Sequence, residues 1–130
     1  MIGMKAADMI APAIVRRQFL RGLNLYANGL AGEGLRAETV AWARRLSRGE
    51  PITLEKARTM RAWFARHGAS RLEVAARHRQ QAQLEQGVPP RRAPALTAWL
   101  LWGGDEGRAW AQDIVASARD GHLLRFHPSR

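Results

Sequence analysis

The sequence predicts an all-α domain, a small bundle of about five to six helices with a tryptophan-rich helix corner in its core and extended termini. Apolar residues recur at three- and four-residue spacing along most of the chain, and the alternation of a half-buried strand is nearly absent. Glycine and proline break that pattern at short intervals. Three of the five tryptophans fall in one stretch, Ala98–Ala111, around Gly103-Gly104-Asp105. Trp99 and Trp102 share a helix face, the glycines make the corner, and Asp105 is placed to cap the helix carrying Trp110. Trp99, Trp102 and Trp110 are therefore expected to be buried together.

The elements follow in order. A first helix starts near Pro12, where proline suits an opening turn, and runs to Asn28 with Val15, Phe19, Leu23 and Tyr26 facing inward. Gly29, Gly32 and Gly34 end it. A second helix, about Ala37 to Arg48, carries Thr39, Trp42 and Leu46 on one stripe, and Gly49 and Pro51 stop it. Thr53 caps a third, Leu54 to His67, whose inner stripe is Ala57, Met60 and Phe64, widened by Trp63. Ser70 opens a fourth helical stretch to about Gln86, with Glu73 and Arg77 spaced as an acid-before-base pair. Its apolar face is thin, so this segment is expected to be exposed, extended or ordered only by a partner. Nothing between Gly87 and Pro94 can continue a helix. Two helices follow, Ala95 to Trp102 and Glu106 to Arg119, the second burying Trp110, Ile114 and Ala118. Beyond Gly121 an irregular tail either pins Leu123, Leu124 and Phe126 to the core or offers them to a neighbour.

With 130 residues the chain reads as a single domain, 1–130: an N-terminal arm over 1–11, a helical core over 12–119 with a basic connector at 87–94, and a tail at 121–130. The absence of cysteine excludes disulfides, zinc-thiolate sites and thiol catalysis. No apolar run is long enough to span a bilayer, and Asp8 and Pro12 interrupt the apolar N-terminus, so neither a membrane segment nor a signal peptide is expected.

Motifs of known chemistry are incomplete in this sequence. Gly32-Glu33-Gly34-Leu35-Arg36-Ala37 fits a dinucleotide fingerprint in form, but the motif needs a preceding strand and here a helix precedes it. Gly103-Gly104-Asp105-Glu106-Gly107 lacks the lysine of a phosphate loop. His67, His78, His122 and His127 have no metal-ligand spacing, His67 being at a helix end where a cation is favoured. No catalytic residues, cofactor, metal or small-molecule substrate is predicted, and the chain is not expected to be an enzyme.

The net charge of +10 rests almost wholly on arginine, with Lys5 and Lys56 the only lysines. Arginine grips phosphate and carboxylate with two parallel hydrogen bonds. Arg44, Arg45 and Arg48 cluster late in the second helix, Arg58 and Arg61 share an edge of the third, Arg71, Arg77 and Arg79 lie on the fourth, and Arg91 and Arg92 continue on the connector. These ten form the candidate surface for nucleic acid or an acidic partner.

Two stretches, Arg58-Thr-Met60-Arg-Ala-Trp63-Phe64-Ala-Arg66-His67 and Pro94-Ala-Leu-Thr-Ala-Trp99-Leu-Leu-Trp102-Gly103-Gly104-Asp105-Glu-Gly107-Arg-Ala-Trp110-Ala111, resemble a small domain of tailed-phage and prophage proteins. The resemblance covers about Gly29 to Ala111 and departs from the group between His67 and Pro94, where this chain is longer and richer in arginine. It implies a non-enzymatic phage structural protein, a minor component of the head or head-tail region. Such a protein would bind viral structural proteins (capsid, portal or neighbouring copies), and would reside in the virion after assembly in the bacterial cytoplasm. The charge supports an alternative, a small basic protein that binds the DNA phosphate backbone without reading sequence.

Overall fold

The computed structural model describes residues 5–88 and 90–126, with side chains described as far as Arg119. The described residues form a 3-10 turn, Ala6–Met9, and six α-helices: α1 Ala13–Ala27, α2 Ala37–Ser47, α3 Leu54–Gly68, α4 Arg71–Glu85, α5 Pro94–Leu101 and α6 Gly104–Phe126. The predicted all-helical bundle is what forms.

Helix α1 is the hub and packs on α2, α5 and α6, while α6 also lies along α3 and α4 covers α5. The main core gathers Val15 and Phe19 from α1, Leu46 from α2, Met60 and Phe64 from α3, Leu101 from α5 and Ile114 from α6. A smaller cluster, Leu25, Ala93, Leu96 and Leu100, sits where α4 crosses, with Leu84 against it. The inward stripe of α1 is Val15, Gln18, Phe19, Gly22 and Leu25, so Leu25 replaces the expected Tyr26, which is exposed. Trp42 is likewise half-buried beside the α2 stripe of Thr39, Val40, Ala43 and Leu46. Trp110, Ala111, Ile114 and Val115 are buried on α6, whereas Ala118 is half-buried.

The N-terminal arm is not free along its described length. Met9 accepts a backbone hydrogen bond from Ile52, Asp8 accepts one from the Trp110 indole, and Ala11 is buried. At the other end the helix does not stop near Arg119, because α6 runs through Gly121 to Phe126. The expected roles of Leu123, Leu124 and Phe126, and the histidines at 122 and 127, lie outside the described side chains.

Helix α4 forms as the fourth helical stretch expected, and it packs on α5 although its one buried residue, Gln80, is polar. Ser70 caps it, its hydroxyl accepting from the Glu73 backbone N–H. Buried Gln80 reaches across and accepts the Leu96 backbone N–H at 2.9 Å. That bond satisfies an orphan donor in the first turn of α5, where Ala93 offers no side-chain cap. Counting apolar residues misses an anchor of this kind.

Gly22 sets how closely α1 and α5 approach. A Cβ there would stand 2.7 Å from the Leu101 nitrogen and 2.8 Å from the Leu100 carbonyl carbon, both backbone atoms that cannot swing aside. Gly22→Ala should destabilise the protein by about 2–3 kcal/mol through overpacking, although alanine is the better helix former by about 1 kcal/mol. Gly34, with open space around it, serves as control. Thermal melts in which Gly22→Ala proves as stable as Gly34→Ala would contradict the close crossing.

Candidate functional site

Three tryptophans from two helices build the wall of one cleft. Trp63 stands on α3, while Trp99 on α5 and Trp102 at its C-terminal cap lie three residues apart, on one face. The Gly103–Gly104 corner then turns the chain back. Both glycines have positive φ, 113° and 66°, and a Cβ on Gly103 would meet the Gly107 backbone at 2.9 Å.

The Gly103 carbonyl accepts the first hydrogen bond of α6, from the Gly107 N–H, so Gly103 is the capping residue. Asp105 is therefore not the N-cap. It sits inside the first turn, and its Oδ1 accepts a hydrogen bond from Trp99 Nε1 at 2.9 Å. Trp110 is buried in the same core cluster as Trp99, with Trp102 packed against it, and its indole N–H donates to the Asp8 backbone carbonyl. Trp63 is centred 4.9 Å from Trp102 and nearly parallel to it, and 5.9 Å from Trp99.

The stack continues in both directions along α3. Lys56 and Trp63 are seven residues, or two turns, apart, about 10 Å along one face. Trp102 fills that interval, with Lys56 Nζ 4.0 Å from its ring centre and Trp63 stacked on it. One turn beyond Trp63, His67 stacks on it at 4.3 Å and donates from Nδ1 to Glu73 Oε1 at 2.6 Å. Glu73 is thus committed to His67 rather than to Arg77. The Arg77 guanidinium lies 3.6 Å from the centre of Trp99, a cation–π contact that replaces the predicted pair within α4. Burial lowers the Arg77 pKa; Asp105 opposes the shift.

These groups open on a cleft of about 620 Å³, a volume suited to a small ligand or a short peptide segment. The loop at 31–36 and the start of α5 also line it. Gly32 lets the two meet, because a Cβ there would lie 2.9 Å from Pro94 Cβ. Gly32 of the apparent dinucleotide motif thus serves a loop-to-helix contact, while Gly34 has open space around it. Arg36 and Arg66 stand exposed at the rim.

Of the ten arginines singled out in the sequence, only Arg77 lines this cleft. Arg45 and Arg48 both bind Glu50, at 3.4 and 3.1 Å, and Arg45 also lies over Trp42. The Arg48 bond, foremost, and that of Arg45 hold the Glu50 carboxyl below its ordinary pKa. Arg44 remains exposed beside them. Arg58, Arg61, Arg71, Arg79, Arg91 and Arg92 are exposed and, among the described residues, form no ion pair.

Comparison with known protein families, with curated proteins and with solved structures finds no match. Arg36, Arg66, His67 and Glu73 become site residues only through the fold. Of these, Arg66 and His67 lie in the first of the two stretches that carry the resemblance. Among the described residues no cluster of three or more histidines, aspartates or glutamates is placed to hold a metal ion.

Lys56 makes a measurable prediction. Burial pushes its ammonium down from 10.5 to about 8, and Glu38 opposes the shift. Between those two values the unfolded chain binds the additional proton, so folding stability should rise as pH climbs from about 8 to about 10.5. Lys56→Met keeps the apolar stem and should flatten that rise. Equal slopes for the wild type and the variant in chemical denaturation across this range would refute the assignment.

Proposed function

We propose that the protein is a non-enzymatic structural protein of a phage particle, a minor component of the head or head-tail region that docks on viral protein surfaces. The observation that carries this reading is that both stretches resembling the tailed-phage and prophage domain converge on one cleft. Trp63, Arg66 and His67 come from the first stretch, Trp99 and Trp102 from the second, and Asp105 from the second holds Trp99 in place. A cleft of indoles edged by arginine is the composition that anchors protein partners. In this reading the protein acts in the virion, after assembly in the host cytoplasm.

The exposed arginines favour a second reading, a DNA-binding protein that contacts phosphates without reading bases. It is the weaker of the two, because Glu50 already occupies Arg45 and Arg48 in the densest cluster. Mass spectrometry of purified particles separates the readings. Under the first, the chain is present in a fixed copy number per particle. Its absence from particles, with salt-sensitive binding to duplex DNA by the purified protein, would overturn the first reading in favour of the second.

A further inference from the structure

We infer that the cleft binds an acidic peptide segment, with the carboxylates held by Arg36 and Arg66 and an apolar side chain seated against the indole wall. The inference rests on the docking reading above and names what docks.

The ring stack decides against a nucleobase. Proteins that hold single-stranded nucleic acid offer aromatic faces on which bases stack. Here Trp102 stacks with Trp63 and has Lys56 over its ring, Trp63 also stacks with His67, and Arg77 lies over Trp99, so these faces are already engaged within the protein. Ring edges carry the positive end of the aromatic quadrupole and attract oxygen anions. Two indole donors are also unused. Among the described residues Trp99 Nε1 bonds to Asp105 and Trp110 Nε1 to Asp8, while those of Trp63 and Trp102 have no partner within the protein.

Charge points the same way. Arg36 and Arg66 both line the cleft and are exposed, one on the loop before α2 and the other late in α3, and neither forms an ion pair among the described residues. Glu73 is the one carboxylate lining the cleft, and His67 engages it. Two free guanidinium groups flanking an apolar floor match a segment whose acidic residues bracket an apolar one, each carboxylate meeting an arginine fork.

The test uses the full chain and calorimetric titration with a capped hexapeptide of alternating glutamate and leucine. Its glutamine counterpart and an oligothymidylate are the comparison probes. The acidic peptide should bind about tenfold or more tightly than the glutamine peptide, and the double variant Arg36→Gln/Arg66→Gln should lose about that factor. Both arginines are exposed, so thermal melts of the variant should match the wild type and exclude misfolding. Trp102→Phe, which shortens the wall, should weaken both peptides alike. Equal binding of the two peptides, an unaffected arginine variant, or displacement of the peptide by oligothymidylate would each overturn the inference. A protein missing from purified particles but selective for the acidic peptide would refute the particle reading while supporting the cleft assignment. A particle protein that ignores the peptide would do the reverse.

Discussion

The reversal of the chain at Gly103–Gly104 is the constraint on which the rest of the structure depends. Only glycine takes the two successive positive φ angles without strain, and the neighbouring Phe19, Gln18 and Gly107 leave no room for a side chain. Because the reversal is so tight, Asp105 comes within hydrogen-bonding reach of the Trp99 indole only six residues back. It also sends α6 along α3, so that Phe64 meets Trp99 edge-on at 4.7 Å and Trp63 meets Trp102 face to face. A local backbone requirement thus fixes a tertiary arrangement of aromatic rings.

That arrangement has a chemical consequence. From Lys56 through Trp102, Trp63 and His67 to Glu73, each ring lends its faces to a neighbour. The faces engaged in this way hold the fold together. Lys56 closes one end of the stack as a buried lysine that forms no salt bridge among the described residues. Its ammonium stays between Trp42 and Trp102 because ring faces attract positive charge.

Much of the scaffold was legible in the sequence because helix periodicity and capping act within a few residues. Thr53 and Ser70 cap α3 and α4 as their types and positions require, and the stripe of Ala57, Met60 and Phe64 is buried. The cleft was not legible. Arg36 lies in a loop and Arg66 late in α3, and no local pattern links them. Arg77 looked like one half of a pair with Glu73, since spacing on one helix cannot reveal the Trp99 ring arriving from α5. Nothing local marks Gly22 for its close approach to Leu100 and Leu101, or Gln80 for its bond to the Leu96 backbone. In each case the partner is remote in sequence, and only the packed structure brings it near.

Trp63, Trp99 and Trp102 line one cleft, whereas Trp42 and Trp110 lie outside it. Each tryptophan gives a separate indole N–H signal in a nitrogen-15 correlation spectrum. Titrating the labelled protein with the glutamate–leucine peptide should shift the signals of Trp63, Trp99 and Trp102, which line the cleft, and leave unmoved that of Trp110, which does not. Uniform small shifts in all five signals, or a response confined to Trp42 and Trp110, would contradict the cleft as the binding site.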